Sequence, residues 1–291
     1  MRFLEYPSSD QEAFLDYLKV NKLLERFGKK AKSCNATGGG AYKYYDLVQK
    51  EIGINFIQRD EIDSLIKGLD FLLSLKGIES PIFTFEEKEK KGVFFNNKRE
   101  LYPYIFVQCG SGISIILVKD KGNFERVSGS TLGGGTFNGL VRLITGSTDF
   151  KKSIKLAKNG DHSKVDLLVG DIYGKDYGEH GLSAETIAST FGKIGTMKIP
   201  ENKKLSDCFE PGDFVKSLLF MIANNISQIS ILNAKKYKAK NVFYSGGFIR
   251  NNEHVWSKLV WGMKYWTKGE IKAMFVNHDS YLGALGAFIQ K

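Results

Sequence analysis

The 291-residue sequence has no apolar run that approaches the roughly 20 residues needed to span a bilayer, so we expect no membrane span. The first residues lack the apolar core of a signal peptide and include the acidic Glu5, so we expect no secretion signal. Cysteine is scarce, because only Cys34, Cys109 and Cys208 occur, and they are far apart and odd in number. This excludes a disulfide framework and a zinc ribbon, and it predicts a reducing, cytoplasmic location.

Several common site signatures are also missing. The sequence contains no GxxxxGK[ST] pattern, which argues against a P-loop enzyme, and no GxGxxG between a strand and a helix, which argues against a Rossmann dehydrogenase. The spacing of the four histidines is not that of metal ligands (His162, His180, His254 and His278). We therefore expect no structural zinc, and the sequence identifies no metal ligands.

The charge balance favours basic residues. There are 42 Lys and Arg against 32 Asp and Glu, a formal net charge of +10. Such a surplus suits an anionic partner, which could be nucleic acid, a membrane surface or a phosphorylated small molecule. However, most of it is lysine at loops and helix ends, and it forms no stripe interleaved with aromatic residues. A solvated basic surface is the simpler interpretation, and we expect no nucleic-acid partner.

Hydrophobic residues make up 42% of the chain and charged residues 25%, as in ordinary globular proteins. Segments typical of strands and helices alternate along the sequence, so we predict an α/β fold. A polar, weakly patterned stretch at 86–100 reads as a surface connection and predicts two domains, 1–101 and 102–291. We predict an N-terminal helix with a capping box at 9–12 that ends at Gly28, and a second helix capped by Asp60. Further helices are predicted near 149–158, 161–171, 183–192, 213–234 and 252–266.

Glycine is abundant, and it occurs in clusters that could be ligand-binding loops. Four clusters, at 38–40, 110–112, 133–135 and 246–247, lie between predicted regular elements. Glycine allows positive φ and close approach of a ligand to the backbone amides, and a loop that leads into a helix can bind an anion. Tight turns need glycine as well, so these clusters leave phosphate binding and simple turns as open alternatives.

The order of several longer motifs is more specific, and together they resemble the eukaryotic-type (type II) pantothenate kinases from about Phe3 to the C-terminus. The motifs are 36–43 (ATGGGAYK), 60–61 (DE) with 65–69 (LIKGL), 110–114 (GSGIS), 126–137 (RVSGSTLGGGTF), 171–174 (DIYG), 188–192 (ASTFG), 224–226 (NNI) and 281–287 (YLGALGA).

The resemblance implies a two-domain, actin-like (hexokinase-like) ATPase fold, usually as a homodimer. It also implies an ATP- and Mg²⁺-dependent kinase that phosphorylates pantothenate to 4'-phosphopantothenate in coenzyme A biosynthesis, with acyl-CoA as a feedback inhibitor. One family feature, an N-terminal Asp-x-Gly-Gly-Thr phosphate loop, has no counterpart in the sequence, so we expect an incomplete N-terminal domain. The alternative is a non-catalytic or regulatory subunit that binds pantothenate or acyl-CoA and pairs with a complete, related chain.

The resemblance assigns roles to four polar residues. Glu61 matches the catalytic base, although a carboxylate in the first turn of a helix could merely complement the helix dipole. Ser111 and Ser114 match residues that contact pantothenate or the acyl-CoA inhibitor, and they could otherwise be ordinary turn and strand serines. Arg126 matches the arginine that binds the pantothenate carboxylate through a planar fork, and it could otherwise be a surface residue.

Weaker assignments concern glycines and one aromatic residue. Trp266 matches an aromatic residue at the dimer-facing wall of the pantothenate pocket, and it could otherwise be a buried helix residue. The expected nucleotide-binding glycines are Gly110, Gly112, Gly133, Gly134, Gly135, Gly246 and Gly247.

Overall fold

The computed structural model describes residues 4–6, 11–20, 33–75, 80–178 and 181–290. Strands and helices alternate along them, which confirms the predicted α/β class. The strands are β1 (Ser33–Thr37), β2 (Asn55–Arg59), β3 (Ile82–Glu86), β4 (Glu89–Gly92), β5 (Tyr104–Cys109), β6 (Ile113–Asp120), β7 (Asn123–Ser130), β8 (Leu167–Leu168), β9 (Ile187–Ser189), β10 (Asn241–Ser245) and β11 (Lys272–Val276). The helices are α1 (Gln11–Val20), α2 (Gly39–Lys43), α3 (Tyr45–Ile52), α4 (Glu61–Ser74), α5 (Lys98–Leu101), α6 (Gly134–Thr145), α7 (Phe150–Asn159), α8 (Val169–Tyr173), α9 (Gly192–Thr196), α10 (Pro211–Lys236), α11 (Glu253–Thr267) and α12 (Leu282–Ile289).

The chain forms two compact units. Unit 1 comprises Met1–Pro81 and Asn277–Lys291, and unit 2 comprises Ile82–Val276. This division lies before the boundary expected at 101/102, because β3 and β4 pair into the sheet of unit 2. The stretch at 86–100, expected to be a plain surface connection, contains β4 and the start of α5. The assignment of functional domains to 1–101 and 102–291 stays a prediction.

Unit 1 is built around the parallel pair β1–β2 and the helix α4. The predicted helix start at Asp60 is confirmed, because Asp60 Oδ1 accepts a hydrogen bond from the backbone N–H of Asp63 at 2.8 Å. Leu65, Ile66 and Leu69 of α4 are buried, as the apolar stripe predicts. The expected capping box at 9–12 and the helix end at Gly28 involve residues outside the described ranges.

Helices α4 and α12 of unit 1 pack closely because glycine lines their contact. A Cβ atom on Gly286 would overlap the carbonyl of Ser64, and one on Gly68 would overlap the carbonyl of Leu282. The end of the chain is also bound to β1, since Asn35 Nδ2 donates to the carbonyl oxygens of Ala287 and Gln290 at 2.8 Å each. These contacts attach the C-terminal helix to the N-terminal segment.

Unit 2 contains a seven-stranded sheet in the order β4-β3-β11-β10-β5-β6-β7. Strands β5, β6 and β7 form an antiparallel meander, and β10 runs parallel to β5 on one side and to β11 on the other. A meander followed by two parallel strands agrees with the actin-like architecture that the resemblance implies. The carboxyl ends of β5, β7 and β10 meet at one edge of this sheet.

The two faces of this sheet differ at β5. Ile105, Val107 and Cys109 belong to the core cluster that includes Val215 and Ile222 of α10. Because side chains alternate along a strand, Phe106 and Gln108 lie on the opposite face. We call this the Ser114 face, because Ser114 pairs with Gln108 across β5–β6 and therefore shares it.

Helix α10 is long and apolar enough to cross a membrane by length and composition alone. Core helices of soluble proteins pass the same test, and 61% of its most apolar window is buried in the structure. It packs against α7 and α11 and against the core face of the sheet. The expectation of no membrane span rested on uninterrupted apolar runs, and the polar pair Asn224 and Asn225 interrupts this helix.

The helices predicted near 149–158, 213–234 and 252–266 are confirmed as α7, α10 and α11. The continuous helices predicted at 161–171 and 183–192 are wrong. The first segment contains a 3-10 turn (His162–Lys164), β8 and the start of the short helix α8, and the second contains turns and β9. The reason is the fully buried Asp166, whose carboxylate accepts hydrogen bonds from the Phe191 backbone N–H at 2.9 Å and from the hydroxyl of Ser217. These partners lie far away in sequence, and their hydrogen bonds override local helix propensity.

Candidate functional site

In unit 1, Glu61 is the first residue of α4 and is exposed to solvent. The hydroxyl of Thr37 at the end of β1 donates to the carbonyl oxygens of Arg59 at 2.9 Å and Asp60 at 3.2 Å, which fixes the start of α4 beside the glycine loop. Within that loop, Gly38 has φ 75°, and a Cβ atom there would lie 3.8 Å from Glu61 Oε2. The carboxylate therefore faces the 38–40 loop.

The neighbouring carboxylates at the start of α4 have other roles. Asp60 caps the helix, and Asp63 forms an ion pair with Lys67 at 2.6 Å. Glu61 is thus the carboxylate of this turn that faces the glycine loop. A catalytic base and a carboxylate that only complements the helix dipole would both fit this position. The catalytic role of Glu61 therefore stays a prediction.

In unit 2, the glycine clusters at 110–112, 133–135 and 246–247 come together at the carboxyl edge of the sheet. The backbone N–H groups of Gly134 and Gly135 donate to the carbonyl oxygens of Gly110 and Ser111, at 2.9 Å each. A Cβ atom on Gly133 would lie 2.6 Å from the Ser111 carbonyl oxygen, closer than real Cβ atoms approach. These glycines therefore allow α6 to begin directly against the β5–β6 hairpin.

This contact uses backbone N–H groups that the expected nucleotide binding by these glycines would also need. The first N–H groups of a helix can bind an anion when nothing else pairs with them. Here the backbone N–H groups of Gly134 and Gly135 already donate to carbonyl oxygens of the hairpin. The close packing of α6 against the hairpin therefore explains why these two positions are glycine, and no bound phosphate is needed to explain it. Nucleotide binding by Gly110, Gly112, Gly133, Gly134 and Gly135 stays a prediction.

In the last cluster, the surroundings of Gly246 leave no room for a side chain, whereas those of Gly247 do. Gly246 has φ 118°, and a Cβ atom there would overlap the carbonyl group of Cys109. The same carbonyl oxygen accepts a hydrogen bond from the Phe248 backbone N–H at 3.1 Å, which joins the ends of β5 and β10. A Cβ atom on Gly247, in contrast, would meet nothing within 4 Å. Gly247 therefore has room for a ligand, and its nucleotide role stays a prediction.

The three polar residues predicted to bind pantothenate lie on β6, on β7 and at the tip of the β5–β6 hairpin. Ser111 is exposed at the tip, and Ser114 is half-buried on β6. Arg126 is exposed on β7, and its Nε donates to Ser114 Oγ at 3.3 Å. A Cβ atom on Gly129 would lie 2.5 Å from Arg126 Nη2, so Gly129 makes room for the guanidinium group. The structure thus brings Ser114 and Arg126 together.

A β-bulge determines the direction of Arg126. Ile115 pairs with Ser128 and Ile116 pairs with Arg126, so Val127 is an extra residue in β7. In a regular ladder Val127 would pair with Ile116, and Arg126 would lie on the α10 side of the sheet. The bulge places Arg126 on the Ser114 face instead, in agreement with the ability of bulges to redirect a side chain.

Trp266 lies elsewhere in unit 2, near the end of α11, and 46% of it is exposed. The alternative of a buried helix position is therefore wrong for this residue. Its ring packs edge-on against Tyr265 with centroids 5.0 Å apart, and its carbonyl oxygen accepts from Lys235 Nζ at 3.1 Å. None of the contacts in the described ranges joins it to the β5–β6 hairpin, and its role at a dimer-facing wall stays a prediction.

Three features of this region were missed or left unassigned in the sequence analysis. Asn225 of α10 accepts a hydrogen bond from the Ser130 hydroxyl at 3.0 Å and so fixes the end of β7. The bulge at Val127 had no sequence signal. The spacing of polar residues did not single out Gln108, which lies opposite Ser114.

No group of three or more His, Cys, Asp or Glu in the described ranges could hold a metal ion. Mg²⁺ commonly uses one or two carboxylates together with water and substrate phosphates, so it does not need such a cluster. The exposed carboxylate of Glu61 is of the chemical type that Mg²⁺ accepts.

The comparisons with known proteins identify the family of the chain. The family model described as Fumble matches residues 1–290. Pantothenate kinase 2 of Oryza sativa subsp. japonica is 42% identical over 301 residues, which cover 99% of this chain and 32% of the relative. The pantothenate kinase of Schizosaccharomyces pombe is 40% identical over 274 residues, which cover 93% of this chain and 66% of the relative.

A relative with another name also matches the chain. The 4'-phosphopantetheine phosphatase of Mus musculus is 36% identical over 291 residues, which cover 100% of this chain and 34% of the relative. The chain thus spans about a third of the rice and mouse proteins and 66% of the fission-yeast protein.

Proposed function

From the premise that the chain belongs to the Fumble family, we propose that the protein is a pantothenate kinase. It phosphorylates pantothenate with ATP, and the product, 4'-phosphopantothenate, enters coenzyme A biosynthesis. Two relatives that match most of this chain are named pantothenate kinase, which supports the substrate. The observation that carries the proposal is the contact of Arg126 with Ser114 on one face of the β6–β7 ladder.

In this proposal, Arg126 binds the pantothenate carboxylate. The guanidinium is a planar, permanently charged donor that can pair with both carboxylate oxygens. Its Nε already donates to Ser114, and this hydrogen bond orients the fork before substrate arrives. Ser111 and Ser114 offer hydroxyl groups to the polar atoms of the same substrate.

Glu61 accepts the proton of the primary hydroxyl of pantothenate. As the oxygen–phosphorus bond forms, the bond between the γ-phosphorus and the leaving ADP oxygen breaks, and the proton passes to the carboxylate. The exposure of Glu61 beside the 38–40 loop supports this assignment. Mg²⁺, bound with ATP, neutralises the phosphate charge.

We extend the proposal to assembly, regulation and location. Trp261, Tyr265 and Trp266 form an exposed aromatic cluster on α11, which supports a homodimer or a heteromer with a related chain. Acyl-CoA inhibition is proposed from the family resemblance. All three cysteines are free, which supports a cytoplasmic location.

The test uses the purified full-length protein that carries this chain. We expect ADP release that requires pantothenate together with Mg²⁺ and ATP, and calorimetric binding of pantothenate. Absence of both results would contradict the proposal. Pantothenate binding without ADP release would favour the non-catalytic, regulatory alternative.

A further inference from the structure

Gln108 lies on the same face of the sheet as Ser114 and Arg126, two of the proposed pantothenate residues. It pairs with Ser114 across β5–β6 and with Ser245 across β5–β10. Directly paired residues of neighbouring strands share a face, so its side chain lies on the Ser114 face with Arg126. From β7 to β5, this row runs from Gly129 through Ser114 to Gln108. Arg126 pairs with Ile116, two residues further along β6, and its Nε reaches Ser114 Oγ from there.

The side chain of Gln108 carries an unsatisfied polar atom. Its Oε1 is buried and has no hydrogen-bond partner among the described residues. A buried acceptor without a partner destabilises the fold, because its hydration is lost and nothing replaces it. The same condition applies to Ser227 Oγ, Tyr244 Oη and Asn252 Nδ2. Ser227 and Tyr244, however, belong to the α10 side, where Ser227 faces Gly262 of α11 and Tyr244 is part of the core.

We propose that Gln108 Oε1 accepts a hydrogen bond from the amide N–H of pantothenate, an inference that rests on the proposed function. Neighbouring strands are about 4.8 Å apart, so Gln108 lies one strand beyond Ser114, whose hydroxyl is in contact with the Arg126 guanidinium group. In pantothenate, two methylene groups separate the carboxylate from the amide. The first donor met from the carboxylate is therefore the amide N–H, and Gln108 is the next polar group after Ser114.

This contact makes Gln108 a specificity residue. The residue presents an acceptor where the substrate has a donor. A site with a buried polar partner discriminates against an analogue that lacks the matching group, since the partner is then left unpaired. The ester analogue of pantothenate, in which oxygen replaces the amide N–H, tests this directly.

The experiment compares Gln108→Met with the unmutated full-length protein. Methionine keeps the length and flexibility of glutamine and removes both polar atoms. Calorimetry gives the dissociation constants for pantothenate and for the ester analogue, and thermal unfolding gives Tm. Ser227→Ala is the matched control, because it removes another unpartnered buried atom, on the α10 side of the sheet.

We expect the unmutated protein to bind the ester about tenfold more weakly than pantothenate. Gln108→Met should bind pantothenate about tenfold more weakly than the unmutated protein and lose most of the preference over the ester, with Tm unchanged or raised. Ser227→Ala should keep both dissociation constants. If Gln108→Met does not fold, Gln108→Leu serves the same comparison.

Three results would overturn the inference. An unchanged pantothenate dissociation constant in Gln108→Met, with normal binding by the unmutated protein, would show that the substrate does not use Gln108. An equal loss for pantothenate and the ester would show that the contact is not with the amide N–H. If the unmutated protein bound no pantothenate at all, the proposed function would fail together with this inference.

Discussion

Arg126 Nε donates a hydrogen bond to Ser114 Oγ at 3.3 Å, across two strands whose regular pairing would have kept the two side chains on opposite faces. The extra residue Val127 makes this contact possible. The contact orients a cation on a surface where the next paired residue, Gln108, also carries a polar side chain. A carboxylate-bearing ligand thus meets an oriented donor pair rather than a freely rotating side chain.

Replacing Arg126 by lysine should weaken pantothenate binding although the charge is kept. Lysine is a point charge, and it cannot donate to Ser114 and to both carboxylate oxygens in the fork geometry of arginine. We expect a loss of about 1.5–3 kcal/mol in binding free energy, measured by calorimetry. Arg142→Lys, the same change at another exposed arginine, on α6, is the control and should leave binding unchanged. Equal affinities of the Arg126→Lys and unmutated proteins would show that Arg126 is not the carboxylate ligand.

The two glycines that follow β10 should respond oppositely to alanine. At Gly246 the added methyl group would overlap the Cys109 carbonyl, and a φ of 118° is strained for alanine. We therefore expect Gly246→Ala to lower the free energy of unfolding by at least about 1–3 kcal/mol. Gly247→Ala has open space and should change stability by less than about 0.5 kcal/mol. Urea unfolding measures both. If Gly247 contacts ATP, its alanine variant should bind ATP more weakly at unchanged stability, whereas equal losses of stability in both variants would contradict this account of the loop.

His254 on α11 provides a prediction of pH dependence. Burial, and then the positive charges of Lys216 and Lys158, lower the pKa of His254, and Glu253 opposes them only in part. In the unfolded chain the imidazole titrates near pH 6.5, so on acidification the unfolded state binds a proton before the folded state does. Stability from this group is therefore present above pH 6.5 and is lost as the pH falls towards the lower pKa of the folded state.

The titration of His254 can be followed by NMR, and we expect its midpoint below that of an unfolded peptide. Lys158→Gln should raise the midpoint, because it removes one of the positive charges. His254→Gln should lose less stability than the unmutated protein when the pH is lowered from neutral to mildly acidic values. A midpoint at or above that of the unfolded peptide would contradict the assigned burial.

Local patterns predicted much of the fold. The strands of the hairpin around 110–112, the cap at Asp60 and the long helix α10 follow from residue periodicity and turn residues. The segments at 161–171 and 183–192 could not be predicted in this way, because Asp166 binds partners such as Phe191 that are distant in sequence. Local propensity carries no information about such a buried carboxylate.

The candidate site was predictable in its residues but not in its arrangement. The motif order singled out Ser114 and Arg126 through the family resemblance, and the structure brings them together. The bulge at Val127 decides on which face of the sheet Arg126 lies. This bulge cannot be recognised from the alternation of polar and apolar residues. Likewise, the glycines at 133–135 are visible in the sequence, but only the structure reveals that hairpin carbonyls occupy the amides of Gly134 and Gly135.

Glu61→Gln should abolish most turnover while pantothenate remains bound. The amide keeps the shape of the side chain but cannot accept the hydroxyl proton, so kcat should fall by about 10²–10⁴-fold with little change in KM. Glu253→Gln is a close structural match, because Glu253 is also the first residue of a helix and follows a capping side chain, Asn252. If both glutamates only complement helix dipoles, each variant should lose about 0.3–1 kcal/mol of stability and keep its kcat. Steady-state kinetics of the full-length protein separate these outcomes. If Glu61 is the catalytic base, kcat falls in the Glu61 variant and not in the Glu253 variant.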